Sequence, residues 1–223
     1  MTGAFDADGF AMLPALLTDR ELALIDAEMA GRSEVSARDL LDEAWCAALA
    51  QRLRGDPRLA AVLPSTYVAV QCTSFEKSLE RNWLVPVHQD LAIPVAARVD
   101  HPALTGWSNK GGTWFVQPPV DLLAQLVAVR LHVDDCGDED GPLHVVSGSH
   151  CHGRLDDAQA IALRDDRGTV ACPVPRGGAM LMRPLLLHAS SKATGASRRR
   201  VLHFLFGPRQ LLLGLAWANA PAR

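Results

Sequence analysis

In the run VPVHQDLAIP, Val85 to Pro94, a histidine and an aspartate stand two positions apart among apolar residues. Alternate side chains of an extended strand project to one face. His88 and Asp90 are therefore expected to aim together, with Gln89 turned away. An imidazole and a carboxylate converging on one point make half of a site for a divalent metal. Two ligands hold a metal weakly, so a third is expected downstream. His150 and His152 lie in the turn-like SGSHCHG, whereas His188 is expected to end the strand of GAMLMRPLLLH, 98 positions after Asp90, facing a cavity. His-x-Asp with a distant His is the facial triad of non-heme Fe(II) sites, which occupies one face of an octahedron and leaves the other positions open.

The residues after His188, HASSKATGASRRRVLHFLF, run from a small, polar stretch into three arginines at the head of an apolar strand. Arginine grips a carboxylate through two parallel hydrogen bonds. An arginine on a strand beside the metal is suited to hold the far carboxylate of 2-oxoglutarate, whose keto-acid end would chelate the metal. Three consecutive arginines cannot all face inward, so one or two at most serve this purpose.

The elements that must position these groups are legible in outline. LTDRELALIDAEMAGR carries a capping-box pattern at Thr18 and Glu21, apolar residues at helical spacing, and a stop at Gly31. A second helix is predicted from about Ser36 to Arg54, with Leu40, Leu41, Trp45, Ala48 and Leu49 on its apolar face. DPRLAAVLP reads as a short third helical turn. From Tyr67 the character changes: YVAVQCTSF and LVAVRLHV alternate, the latter with Val127, Val129, Leu131 and Val133 on one face and Arg130 and His132 on the other. GAMLMRPLLLH and RRVLHFLFGP are further strand candidates. Many short strands behind a helical start predict a mainly β (α+β) jelly roll with N-terminal helices packed outside. Residues 99–119 read as a long loop, and the acidic run around Cys136 as an exposed turn. Trp45 reads as helix core and Trp83 as ordinary packing, while Trp107 and Trp114 are candidates for a substrate mouth.

The chain of 223 residues suits one domain, with about 1–65 helical and about 66–210 forming the β core. Its formal charge of −3 gives no electrostatic reason to expect nucleic acid or an anionic membrane as partner. No apolar run is of membrane-spanning length, and the acidic N-terminus is unlike a secretion signal. Five widely spaced cysteines without a C-x-x-C suit reduced thiols and a cytoplasmic setting. Oligomeric state is not legible.

Four segments, in order, resemble the phytanoyl-CoA dioxygenase family of Fe(II)/2-oxoglutarate oxygenases. They are GFAMLPALLTDRELALI, VPVHQD, DGPLHVVSGSH, and GGAMLMRPLLLHASS followed by RRRVLHF. The resemblance implies a double-stranded β-helix (jelly roll) with His88, Asp90 and His188 as metal ligands. It implies Fe(II) and 2-oxoglutarate as cofactor and co-substrate, with O₂ and a small-molecule substrate. The family's oxoglutarate arginine, eleven residues after the distal histidine, falls on Arg199, with Arg200 as the alternative. Strand alternation favours Arg199, which shares a face with Val201 and His203, while Arg200 shares one with Leu202 and Phe204. Ser190 matches a hydroxyl supporting the same carboxylate, and Gln71 a glutamine contacting oxoglutarate in some relatives. Arg130 stands where some relatives carry an aromatic residue. Arg130 and His132, with Trp107, are the expected substrate contacts: the two basic groups suit an anionic substrate group, or else their face meets solvent or an internal carboxylate such as Asp134. Asp90 implies hydroxylation, because relatives that halogenate have a small residue in its place. Two rivals stand beside this reading: a Zn-dependent hydrolase using the same ligands, and a jelly-roll binding protein with a vestigial site.

Overall fold

The computed structural model describes residues 2–30, 40–196 and 198–219. A short helix α1 (Thr2–Asp8) leads into strand β1 (Phe10–Leu13), then helices α2 (Asp19–Met29) and α3 (Ala44–Arg54). Strands β2 (Tyr67–Lys77), β3 (Val85–His88), β4 (Ile93–Val95), β5 (Thr105–Lys110) and β6 (Thr113–Gln117) follow. After α4 (Val120–Gln125) come β7 (Val127–His132) and β8 (Leu143–Val145), and after α5 (Asp157–Arg167) come β9 (Val170–Cys172), β10 (Ala179–Met182), β11 (His188–Ser190) and β12 (Arg199–Pro208).

All pairings between strands are antiparallel. The major sheet has the order β1-β10-β7-β12-β2, the second β3-β11-β8-β9, and a small third sheet β4-β6-β5. This is the expected jelly roll. The alternation read in β7 decides its packing. Val127, Val129, Leu131 and Val133 join Leu202, Phe204 and Phe206 of β12 in one core with Phe5, Leu22, Ile25, Cys46, Leu49 and Leu53 of the N-terminal helices. The opposite face of the same sheet, carrying Arg130 and His203, turns toward the second sheet and encloses a cavity. Burying some twenty large apolar side chains on the helical side, at roughly 1.5–3 kcal/mol each, holds that sheet rigid behind the cavity.

The capping box at Thr18 is formed: the Glu21 N–H donates to the Thr18 hydroxyl at 3.3 Å, and the Thr18 N–H donates to the Glu21 carboxylate at 2.7 Å. The predicted stop at Gly31 lies outside the described residues, as do residues 36–39 of the second predicted helix. Its remainder is broken: a 3₁₀ turn covers Leu40–Asp42 and α3 starts only at Ala44. Residues 56–63 form successive turns rather than a helix, closed by bonds such as the Leu63 N–H to the Leu59 carbonyl at 2.8 Å. GAMLMRPLLLH is two strands rather than one, because Pro184 interrupts it and cannot donate to a ladder. His188 thus opens β11 instead of ending β10.

The predicted loop 99–119 contains the β5–β6 hairpin, with Lys110 paired to Thr113 across Gly111 and Gly112. Both glycines have positive φ, +61° and +89°, the backbone that a tight two-residue hairpin turn demands. Gly-Gly between alternating runs was the available signal. Cys136 is buried, not exposed, because its backbone bridges to Val174 and draws the acidic turn against the sheet. Among the described residues no helix is long and apolar enough to cross a membrane.

Candidate active site

His88 and His188 face each other as a cross-strand pair of β3 and β11, their ring centroids 4.2 Å apart. Each ring is locked by the same local device. The Nδ1 of His88 lies 2.9 Å from the Pro86 carbonyl, and that of His188 lies 3.0 Å from the Leu186 carbonyl. A carbonyl only accepts, so both Nδ1 atoms carry the proton and both Nε2 atoms present lone pairs to the cavity. β3 ends at His88, so Asp90 lies just beyond the strand rather than on it. Its N–H donates to the Pro184 carbonyl at 2.9 Å, and this bond turns the carboxylate back toward the rings. The Asp90 oxygens lie 3.8 Å from each Nε2, and one ligand atom from each of the three residues falls within 4.8 Å of the others. Two imidazole lone pairs and a carboxylate with no cation of their own suit a divalent metal.

Gln89 turns away, as predicted, and acts as a staple. Its amide donates to the carbonyls of Gly153 and Leu185, both at 2.7 Å, and accepts from the Leu155 N–H at 2.9 Å. Ser149, fully buried, accepts from the Leu187 N–H at 2.8 Å and so fixes the residue before His188. The DGPLHVVSGSH segment therefore orients the distal histidine without contributing a ligand. His150 reaches the Asp6 carbonyl instead, at 3.1 Å, and His152 is exposed.

Burial holds His188 neutral, with its pKa pushed down to about 4. Enclosure opposes the ionised form of Asp90, yet His188, His203, His88 and Arg130 outweigh it and its pKa is lowered. The histidines exert that pull only when protonated, whereas the charge of Arg130 persists at neutral pH.

The cavity, about 450 Å³, is walled by β2, β7 and β12 on one side and by β3 and β11 on the other. Arg199 faces into it. Its Nη1 donates to the Gly141 carbonyl and lies 3.8 Å from the Cys136 sulfur, while its buried Nε has no partner. Gly141 adopts φ +64°, and a Cβ there would come within 2.6 Å of the Ser191 carbonyl, so glycine is needed for this approach. Arg200 faces the other way. It forms a fork with Asp134, with Nε at 2.8 Å and Nη2 at 2.6 Å, and reaches Asp26 of α2 at 2.6 Å. That network explains why Asp134 is no partner for Arg130 or His132.

Sequence reasoning missed Lys77. It stands opposite Arg199 in the β12–β2 register and is only 1% exposed. Its ammonium donates to the Ser190 hydroxyl at 2.8 Å and the Ser191 carbonyl at 2.7 Å, and lies 5.4 Å from the centre of the Trp83 ring. Burial, then Arg199 and Arg130, lower its pKa to about 8. A lysine closing an alternating β run reads as a solvated strand end, and only the register with β12 reveals its place. Gln71 also lines the cavity, donating to the Thr73 hydroxyl at 3.1 Å.

The predicted substrate contacts divide. Arg130 lines the cavity and bonds to His203 Nδ1 at 3.2 Å. A guanidinium only donates, so His203 accepts at Nδ1 and turns its Nε2–H toward Asp90, 4.0 Å away. His132 is buried beyond the lining, its neutral form held by burial and then by Arg130 and Arg199, with a pKa pushed to about 3. Trp107 does not line the cavity either. It packs edge-on against Trp114 at 6.3 Å beneath Arg98, and the hairpin geometry carries it outward. Trp83, expected to be ordinary packing, is the tryptophan on the lining.

The sequence matches the description Phytanoyl-CoA dioxygenase (PhyH) over residues 5–201. No curated protein matches it. Among solved structures, EctD from S. alaskensis with bound Fe is 18% identical, with a TM-score of 0.67 over 99% of this chain and 84% of that one. The non-heme alpha ketoglutarate dependent carbocyclase SnoK from nogalamycin biosynthesis is 16% identical, with a TM-score of 0.65 over 93% of this chain and 83% of that one. HygX from Streptomyces hygroscopicus with nickel and 2-oxoglutarate bound is 17% identical, with a TM-score of 0.61 over 92% and 84%. At such identities the structural likeness is one of fold. The sequence match spans nearly the whole chain, from the N-terminal helix to the arginines of β12, and so this protein belongs to the phytanoyl-CoA dioxygenase family.

Proposed function

We propose that the protein is an Fe(II)- and 2-oxoglutarate-dependent dioxygenase that hydroxylates a C–H bond of a small molecule. The observation that carries this reading is one cavity holding both a convergent His88–Asp90–His188 set and, across from it, a buried Arg199–Lys77 pair in which, among the described residues, the Arg199 Nε has no partner. Similar folds solved with bound Fe, and with nickel and 2-oxoglutarate bound, support the same pairing of metal and diacid.

The balanced reaction is R–H plus 2-oxoglutarate plus O₂ to R–OH plus succinate plus CO₂. Fe(II), held by His88, Asp90 and His188, would supply dioxygen activation coupled to decarboxylation of the keto acid. The chain does the rest. Arg199 and Lys77, with the Ser190 hydroxyl, hold the distal carboxylate, and Gln71 borders the same space. His203 directs its N–H at Asp90 and keeps that carboxylate turned inward, as partners of metal ligands commonly do. The walls of Phe75, Trp83, Phe115 and Leu205 restrict water around the reacting bond.

A zinc hydrolase would leave Arg199 and Lys77 without a task. It would also need a general base, and Asp90 is the only carboxylate among the described residues lining the cavity. Succinate release from Fe(II), ascorbate and 2-oxoglutarate is the expected result, and its absence together with failure of the metal-loaded protein to bind 2-oxoglutarate in a calorimeter would refute the assignment. Mass analysis should find oxygen and no chlorine in the product, since Asp90 fills the position a chloride would need.

Lys77 adds a pH signature. Its free-state pKa is near 8, and an arriving dianion favours its charged form and raises that value. Binding then takes up a proton wherever Lys77 starts neutral. Affinity for 2-oxoglutarate should be level below pH 7 and fall above pH 8, by at most about tenfold per unit. Titrations at pH 9 in two buffers of different ionisation enthalpy would show the proton uptake. Lys77→Arg, with its permanent charge, should flatten the profile, and an unchanged profile would remove Lys77 from the clamp.

A further inference from the structure

Charge in the cavity does not balance once its proposed occupants are placed. Lys77, Arg130 and Arg199 are all buried and all line the cavity, Lys110 stands at its edge, and among the described residues Asp90 is the only acid in the lining. A divalent metal cancels the double charge of 2-oxoglutarate. Asp90 is left to offset three buried cations, and it can offset one.

Arg130 is the cation left over. It is 7% exposed, and its buried Nε has no partner. Among the described residues its one hydrogen bond goes to neutral His203, and its guanidinium rests 5.6 Å from the centre of the Phe75 ring. Asp134, two strand positions past His132, is committed to Arg200 and Arg176 on the other side of the sheet. Nor is Arg130 well placed for the far carboxylate of 2-oxoglutarate. On β12 it stands opposite His203, four residues from Arg199, a displacement of about 13 Å along the strand. The displacement runs toward the metal side, where His203 meets Asp90. Asp90 attracts it, but that carboxylate is turned to the two histidines and the metal they would hold. A buried cation so weakly compensated is costly to maintain and marks a place where an anion is expected.

We infer that the primary substrate is an acid, whose carboxylate or phosphate group pairs with Arg130 so that a neighbouring C–H bond faces the metal. Lys110, on the β5–β6 hairpin at the cavity edge, meets the same anion on its way in. The inference rests on the oxygenase reading, because it takes the Arg199–Lys77 pair as occupied by 2-oxoglutarate.

The test uses protein loaded with Mn(II) and 2-oxoglutarate without oxygen, titrated calorimetrically with benzoate, with inorganic phosphate, and with neutral benzamide. The expected result is binding of benzoate or phosphate at least tenfold tighter than benzamide. The preferred anion tells carboxylate from phosphate. Arg130→Gln should lose that binding by tenfold or more while 2-oxoglutarate affinity changes less than threefold. Arg130→Met provides a second reading: removing a poorly compensated buried cation should raise the melting temperature of the ligand-free protein. The inference is overturned if neither anion binds the loaded wild type, if Arg130→Gln binds them as well as wild type does, if that variant instead loses 2-oxoglutarate, or if Arg130→Met melts lower. Failure of wild type to bind 2-oxoglutarate at all would strike the oxygenase reading instead, and is seen in the loading step before any anion is added.

Discussion

Arg199→Ala should weaken 2-oxoglutarate binding by about a hundredfold, roughly 2.7 kcal/mol, and scarcely move the melting temperature. Arg200→Ala, one residue along, should do the reverse. Among the described residues Arg199 makes a single close bond, to the Gly141 carbonyl, and its buried Nε is unpaired. It also repels two like charges that share the cavity, lowering the pKa of Lys77, its cross-strand partner, and of Arg130. Removing it relieves repulsion in the empty cavity and takes away a forked donor when a carboxylate arrives. Truncating one partner of a desolvated charge pair costs about 2–5 kcal/mol. Lys77 and Ser190 remain to hold part of the carboxylate, which places the expected loss in the lower half of that range. Arg200 is a structural tie: Asp134 and Asp26 raise its pKa, and through them it joins β12 to α2. Breaking a buried pair costs roughly 3–5 kcal/mol. Asp26 is 37% exposed and its share is screened, so about 3 kcal/mol is expected, or roughly 6–12 °C in melting temperature for a chain of this size. Calorimetry and thermal melts on both variants check the pair. An Arg200→Ala protein that melts normally but no longer binds 2-oxoglutarate would reverse the assignment.

That contrast also shows what a sequence can carry. The period-2 pattern of β12 separates Arg199 from Arg200 before any coordinates, because Leu202 and Phe204 announce the face that packs on the helices. The same logic reads β7 correctly in separating Arg130 from the valine face, but it leaves open whether that face meets a substrate, solvent or an internal carboxylate. What alternation cannot give is depth. His132 shares the face of Arg130 yet lies beyond the cavity lining, and Trp107 is carried outward by the β5–β6 hairpin, whose Gly-Gly turn strand alternation does not encode. Lys77 shows a second limit. Its role comes from being opposite Arg199 across 122 residues of chain, and register between distant strands leaves no local trace. His88 and Asp90 were legible as a pair for the right chemistry but not quite the right geometry: the strand stops at His88, and a bond to the Pro184 carbonyl supplies the turn that ideal alternation was expected to give.

Asp90→Asn should lower metal affinity by at least about a hundredfold and abolish 2-oxoglutarate-dependent succinate release, with the fold intact. The substitution keeps the side chain's shape and leaves the N–H bond to Pro184, so nothing that places residue 90 is removed. What changes is the charge and one donor atom. Both histidine Nδ1 atoms face backbone carbonyls, so two neutral nitrogens remain to hold a dication inside a cavity already lined by Lys77, Arg130 and Arg199. Without the carboxylate no acid among the described lining residues opposes that repulsion, and the new amide N–H₂, where it turns inward, meets the Nε2 lone pairs in the space the ion would fill. Loss of metal should therefore exceed what removing one neutral ligand would cause, and His188→Ala makes that comparison within the same site. His152→Ala, which touches an exposed histidine once eligible as the third ligand, should retain metal normally. Metal content after desalting and competition with a chelator measure all three. Iron retained by the Asp90→Asn protein at one per chain would mean that the cation is held elsewhere, and the cavity would then need a different account of why two histidines point their lone pairs at a carboxylate.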